Sequence, residues 1–269
     1  MNPLRRAFDE LHAAGRKTLI PYITGGYPDP ATTVAILRRI SPQSCACVEI
    51  GIPFSDPIAD GPVIQTSFVR ALAGGFRVEA LFRELLQHKT SIAVPLAAMV
   101  SYSIVYRHGP REFVAAAKTA GIDALIVPDL AAEEADELAT IGRAQDCPLI
   151  MIVAPTSDAA RRERLAALSE PFVYYQALAG VTGERTALPA DLTTHVQELR
   201  TATGKPICVG FGISTPAQVA AVCALADGAI VGSAIVRRMN AAVDHGAPHT
   251  IPDAVIETIT ALAGGLPAT

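Results

Sequence analysis

The sequence has 269 residues, of which 50% are hydrophobic and 18% are charged, and its formal net charge is -4. This composition is typical of a globular chain with an aliphatic core, and it excludes a disordered or fibrous protein. No stretch is rich in Lys and Arg, so the sequence offers no basic surface for a nucleic-acid partner. The length is sufficient for one large core.

Membrane, disulfide and metal signals are missing from the sequence. No run approaches the roughly 18 apolar residues of a membrane span, and acidic residues follow where a secretory signal carries its apolar region. The six histidines form no metal-ligand pair. The five cysteines have no C-x-x-C spacing, which predicts small buried apolar side chains in a reducing compartment. We therefore expect a cytoplasmic protein without a metal site.

Short apolar runs alternate along the chain with longer segments of helical spacing. The predicted strands cover residues 18–23, 47–50, 92–96, 124–127, 149–153, 172–176, 207–209 and 228–231. Between them, proline-marked starts predict helices over 32–39, 111–118 and 218–225, and amphipathic segments predict further helices over 3–14 and 252–263.

This order of strands and helices predicts the fold class. A strict strand–helix alternation implies parallel strands with right-handed crossovers, and eight repeats favour a closed barrel over an open sheet. A dinucleotide-binding sheet is disfavoured because the first strand runs into TGGYPD at residues 24–29 rather than G-x-G-x-x-G. We expect an α/β protein, a (β/α)8 TIM barrel of one domain over residues 1–269, with extra N- and C-terminal helices.

The second strand carries the first candidate for chemistry. In such barrels the active site lies at the C-terminal ends of the strands. Alternation places Cys47 and Glu49 on one face and Val48 and Ile50 on the other, so Glu49 is expected to point into the barrel mouth. Burial there would raise the pKa of Glu49 and suit it to proton transfer near neutral pH. A structural ion pair with a buried cation is the alternative.

The loop after the second strand, residues 51–65, is polar and rich in proline and glycine, which restrict its backbone. It contains Asp56 and Asp60. From spacing alone, an aspartate in such a loop more often caps a turn than takes part in catalysis. The resemblance described below gives both residues more specific roles.

Glycine-rich turns follow the last two predicted strands, GFGIS at 210–214 and GSA at 232–234. Backbone amides at such turns form the phosphate site that recurs in these barrels, so Gly212, Gly232 and Ser233 are phosphate-binding candidates. They indicate a small phosphorylated substrate, and plain tight turns are the alternative. A further segment, AGVTGER at 179–185, has the glycines of a lid, although its composition also fits an ordinary surface loop.

The motif EIGIPFSDPIADGPVIQ at residues 49–65 resembles the signature of the tryptophan synthase alpha chain family. Similar elements continue in register from about residue 18 to 238. They are TGGYP at 24–28, AGID at 120–123, Asp129 with Glu133 and Glu134, GVTG at 180–183, GFGI at 210–213 and GSAIV at 232–236.

The resemblance implies a lyase that cleaves indole-3-glycerol phosphate to indole and glyceraldehyde 3-phosphate in tryptophan biosynthesis, without metal or organic cofactor. It assigns proton transfer at indole C3 and at the side-chain hydroxyl to Glu49, and either stabilisation or removal of the N1 proton to Asp60. It also places Phe211, Tyr102 and Thr182 at the substrate and adds Gly183 to the phosphate site.

A protein partner is also implied by the resemblance. Asp56 and Pro57 belong to a loop that faces a beta chain, which predicts an α2β2 complex. The sequence departs from the family pattern at Ser101, Ser103 and Leu178, which are positions around the carboxylates and the phosphate turns rather than those groups themselves. These departures leave two alternatives open: a stand-alone lyase that releases free indole for a specialised pathway, and a catalytically degenerate barrel that only binds a partner or a phosphorylated ligand.

Overall fold

Short parallel strands form the centre of the fold. The computed structural model describes residues 1–57, 60–177, 188–189 and 191–267. The strands in this part of the chain are β1 (Thr18–Thr24), β2 (Val48–Gly51), β3 (Leu96–Met99), β4 (Ala124–Ile126), β5 (Leu149–Ile150), β6 (Ile152–Val153), β7 (Val173–Gln176), β8 (Ile207–Gly210) and β9 (Gly228–Val231).

The strands follow one another around a barrel. β1 pairs with both β2 and β9, and every pairing is parallel. The ring closes through the fifth predicted strand, which Met151 divides: β5 pairs with β4, and β6 pairs with β7. Met151 itself accepts a hydrogen bond from Tyr174 N at 3.2 Å. The predicted (β/α)8 barrel is confirmed.

Helices surround these strands. They are α1 (Pro3–Ala13), α2 (Pro30–Leu37), α3 (Pro62–Ala73), α4 (Val78–His88), α5 (Tyr102–His108), α6 (Pro110–Ala120), α7 (Ala135–Ala144), α8 (Ala159–Leu168), α9 (Leu192–Thr203), α10 (Pro216–Cys223), α11 (Ser233–Asp244) and α12 (Ile251–Ala263). The predicted proline starts are confirmed, each within two residues of the observed helix. α10, for example, begins with a capping box between Thr215 and Gln218, which satisfies backbone donors at its first turn. Within the described residues, no helix is long and apolar enough to cross a membrane.

The third strand lies later in the chain than predicted, over Leu96–Met99 rather than 92–96. Pro95 explains the error: it has no backbone N–H, so the parallel ladder begins after it. Its carbonyl still accepts from Val48 N at 3.0 Å. Ile92 and Val94 are apolar because they pack beneath the helices, not because they belong to the strand.

Two apolar layers hold the barrel together. The outer layer lies between the strands and the helices, and it includes Val48 and Ile50. The interior layer combines larger residues such as Ile20 and Ile230 with small ones such as Cys47, Ala97 and Cys208, which fit the narrow space between facing strands. The five cysteines are buried free thiols, as predicted.

The predicted terminal helices are both present. α1 closes the bottom of the barrel, where the Phe8 ring stacks on Phe172 with a centroid separation of 4.8 Å. Asn2 fastens this helix by donating from Nδ2 to Asp123 O at 2.9 Å and Asp146 O at 2.8 Å. α1 thus covers the N-terminal ends of the strands, and an active site is expected at the opposite end, where the strands terminate.

Candidate active site

A cavity opens at the C-terminal ends of the strands. It encloses about 610 Å³, part of it open to solvent. The sequence-predicted residues that line it are Glu49, Asp60, Phe211, Gly212, Gly232 and Ser233. They come from opposite ends of the chain and meet because β1, which lies between β2 and β9, joins the first and last parts of the ring.

Glu49 enters this cavity from β2. Cys47 belongs to the barrel interior while Val48 and Ile50 pack under the helices, so the predicted alternation is confirmed. The Glu49 side chain is buried, and its Oε1 has no hydrogen-bond partner among the described residues. Burial first, and then the negative charge of Asp60, raises the pKa of Glu49 to about 8. Within the described residues no cation pairs with it, which disfavours the structural ion pair.

Asp60 lies where the loop after β2 meets α3. Its backbone N donates to Pro57 O at 3.1 Å, and Gln65 Nε2 donates to Asp60 O at 2.8 Å, so the loop is fixed to the helix start. The helix cap itself is Gly61, without any side-chain cap bond. The Asp60 carboxyl is therefore not used as the cap of α3. Burial raises its pKa to about 6.

The two carboxyls have different protonation states near neutral pH. With a pKa of about 8, Glu49 holds its proton, whereas Asp60, with a pKa of about 6, is mainly ionised. One site thus contains a proton donor and an anion. Two carboxyl groups separated in pKa by their environments are a common arrangement for general acid–base chemistry.

The glycine turns after β8 and β9 line the same cavity as the two carboxyls. Gly212 has a φ of +88°, a conformation that glycine adopts without strain. Gly232 caps α11, and Ser233 is the first residue of that 12-residue helix. The first N–H groups of a helix lack intrahelical partners and attract anions. This end of the cavity suits a phosphate group.

The other predicted site residues lie outside this cavity or outside the described residues. Asp56 and Pro57 line an adjacent cleft of about 430 Å³, which shares Asp60 and Met99 with the first. Thr182 and Gly183 lie outside the described residues. Tyr102 does not line either of these two cavities.

Tyr102 is positioned by the start of α5. Ser101 caps this helix and donates from Oγ to Asp129 Oδ2 at 2.6 Å, while Tyr102 N donates to Asp129 Oδ1 at 2.8 Å. The Tyr102 ring then lies beside that of Tyr106, with the centroids 6.1 Å apart. Tyr106 is 71% exposed, whereas Tyr102 is partly buried and packs against the core.

Three polar residues of the cavity were not predicted from the sequence. Tyr22 comes from β1, and Tyr174 and Gln176 come from β7. On β7, Val173 and Tyr175 pack outward under the helices, which leaves Tyr174 and Gln176 on the inward face. The sequence did contain a signal for these residues, because the inward–outward alternation that placed Glu49 on β2 also applies to β1 and β7.

The described residues contain no group of three or more His, Cys, Asp or Glu side chains arranged to hold a metal ion. The polar groups of the cavity are instead two carboxyls, two phenols, an amide side chain and the amides at the start of α11. Such a set can transfer protons and bind an anion.

Comparison with known proteins gives one family throughout. A family model described as "Tryptophan synthase alpha chain" matches residues 8–258. The tryptophan synthase alpha chain of Rhodopirellula baltica is 45% identical over 247 residues, covering 91% of this chain and 89% of that protein. The alpha chain of Halorhodospira halophila is 40% identical over 263 residues, covering 97% and 95%.

Solved structures agree with these sequence matches. Tryptophan synthase subunit alpha of Legionella pneumophila superposes with a TM-score of 0.88 at 31% identity, covering 98% of each chain. A chain of the Pyrococcus furiosus structure, described as a tryptophan synthase α2β2 complex, gives a TM-score of 0.83 at 31% identity, covering 93% of this chain and 99% of that chain.

Proposed function

The chain belongs to the tryptophan synthase alpha chain family of carbon–carbon lyases, and from that membership we propose that Glu49 and Asp60 carry out its cleavage of indole-3-glycerol phosphate. The products are indole and glyceraldehyde 3-phosphate. One observation carries the assignment: a protonated Glu49 with a free oxygen and an ionisable Asp60 share one cavity with the anion-binding turns.

The reaction needs a proton at indole C3 before the side-chain bond can break. Glu49, with its raised pKa, is the donor of that proton. Protonation leaves the ring positively polarised, and the Asp60 carboxylate stabilises the charge at the ring N–H in a poorly hydrated pocket. The ionised Glu49 then accepts the proton of the side-chain hydroxyl as the carbon–carbon bond breaks.

The phosphate group is held at the other end of the cavity. Backbone N–H groups at Gly212, Gly232 and Ser233 bind its oxygens, and the positive end of α11 adds to the attraction. Phe211, buried and lining the same cavity, supplies an apolar wall for the indole ring. The substrate contact of Thr182 and the phosphate contact of Gly183 remain predictions, as does the ring contact of Tyr102.

We propose a beta chain as partner, in an α2β2 assembly. Asp56 and Pro57 lie in the loop that also carries Asp60, so a protein bound to this loop contacts the segment that positions a reacting group. Ser55 Oγ donates to Asp56 Oδ2 at 2.6 Å, which orients that exposed side chain. The α2β2 complex of the relative from Pyrococcus furiosus supports the same partner here.

Indole release from indole-3-glycerol phosphate, measured with the chain alone and with a beta chain added, tests this function. We expect slow release by the chain alone and strong activation by the partner. High unaided turnover without activation would favour the stand-alone lyase. No release under either condition, together with retained ligand binding, would favour the degenerate barrel and contradict the proposal.

A further inference from the structure

Two buried polar atoms in the active-site cavity have no hydrogen-bond partner among the described residues. They are Tyr22 Oη and Glu49 Oε1, and both side chains line the same cavity. Buried polar groups in native proteins are almost always hydrogen-bonded. An unpaired donor and an unpaired acceptor beside the same space therefore indicate that a ligand completes their hydrogen bonds.

The backbone brings the two side chains together. Tyr22 on β1 lies directly opposite Glu49 on β2 in the parallel register, and neighbouring strands are about 4.8 Å apart. The Tyr22 ring leans towards the barrel mouth, because a Cβ placed on Gly51 would overlap its hydroxyl. Gly51 thus leaves room for the phenol tip just above Glu49, at the level where the substrate enters.

The nearest competing partner for this phenol is Thr24. Its hydroxyl is close enough to lower the pKa of Tyr22, yet no hydrogen bond of normal geometry joins the two. Thr24 Oγ1 is instead 2.6 Å from Ser67 Oγ. Burial, followed by the charges of Asp60 and Glu49, raises the pKa of Tyr22 well above its ordinary value. The phenol therefore keeps its proton and acts as a donor.

Resting on the proposed function, we propose that Tyr22 is a further catalytic residue, whose hydroxyl donates a hydrogen bond to the substrate hydroxyl oxygen next to the indole ring. Glu49 faces the same oxygen and takes its proton. As that O–H bond breaks, the electron pair of the O–H bond forms the carbonyl of the aldehyde product. The carbon–carbon bond breaks at the same time, and the electron pair of that bond returns to the C3-protonated ring. A donor held at an oxygen that gains negative charge stabilises the transition state.

The variant Tyr22→Phe removes only this hydroxyl. We expect its kcat/KM for indole-3-glycerol phosphate to fall about 10- to 100-fold, in line with the loss of one donor to a reacting oxygen. Tyr27→Phe is the matched control, since Tyr27 is also a buried tyrosine but does not line the cavity. It should turn over substrate like the wild type.

A binding measurement separates this role from a structural one. In the Glu49→Gln background, where substrate stays intact, Tyr22→Phe should weaken substrate binding by about fivefold. It should leave unchanged the binding of a phosphorylated analogue that has no hydroxyl on the carbon next to the ring. Equal weakening of both ligands, or unchanged turnover of Tyr22→Phe, overturns the role of Tyr22. An inactive wild type would reject the proposed function instead, and the binding comparison would still decide the role of Tyr22.

Discussion

The negative charge of Asp60 raises the pKa of Glu49, although the two residues belong to different segments, a loop and a strand. Both side chains line the cavity at the end of the barrel, where burial separates them from water. The coupling means that neither carboxyl titrates independently. A change at Asp60 is therefore expected to alter the pH at which Glu49 works.

The first prediction concerns pH dependence. Activity needs Glu49 protonated, so kcat/KM should fall as pH rises through about 8, and it needs Asp60 ionised, so kcat/KM should fall as pH drops through about 6. The profile should be bell-shaped, with its maximum near pH 7. In Asp60→Asn the loss of charge should move the alkaline limb to lower pH. A profile that keeps rising to pH 9 would contradict this assignment.

The second prediction concerns stability. The folded-state pKa of Glu49, about 8, lies above its ordinary value of 4.5, so ionisation opposes folding. The wild type should lose stability relative to Glu49→Gln as pH rises from about 4.5 to 8, by up to about 5 kcal/mol. Urea unfolding of both proteins across this range measures the difference. A difference independent of pH would show that Glu49 titrates normally.

The third prediction concerns the phosphate site. Gly212→Ala places a side chain where φ is +88°, and it should raise KM for the phosphorylated substrate about tenfold and cost about 1 kcal/mol of stability. Gly204→Ala is the matched control, because Gly204 also has a positive φ, +64°, but caps the distant end of α9. The Gly204→Ala variant should lose about as much stability as Gly212→Ala, and its KM should be unchanged. If both variants changed KM equally, the assignment of Gly212 to the phosphate site would be wrong.

The fourth prediction concerns the partner surface. Asp56→Lys should weaken binding of a beta chain, and with it the activation of indole release, by about tenfold or more. Turnover by the chain alone should stay within about twofold. Asp9→Lys makes the same charge change on α1, which covers the opposite end of the barrel. Titration calorimetry with a beta chain compares the three proteins, and equal affinities would place the interface elsewhere.

Most of the fold could be predicted because each strand and helix has its own local signal. Apolar runs predicted the strands, and proline starts predicted α2, α6 and α10. The third strand was misplaced because Ile92 and Val94 are as apolar as strand residues, and only Pro95 marks where backbone pairing begins.

The site was less predictable, for reasons specific to each residue. Alternation alone placed Glu49, since it sits in a strand whose neighbours are aliphatic. Asp60 lies in a loop, where spacing does not reveal direction, so only the resemblance selected it. Only the resemblance places Tyr102 near the substrate, and that contact stays a prediction; its ring lies beside that of Tyr106. Tyr22 and Tyr174 could have been found by extending the alternation to their strands.

Indole release by Glu49→Gln, measured beside the wild type at pH 7 with saturating indole-3-glycerol phosphate, tests the central assignment most directly. The amide keeps the size of the side chain but cannot exchange the proton. We predict a fall in kcat of at least about 100-fold, with substrate binding retained. Release at the wild-type rate would show that another group protonates the ring and that Glu49 is not the catalytic acid.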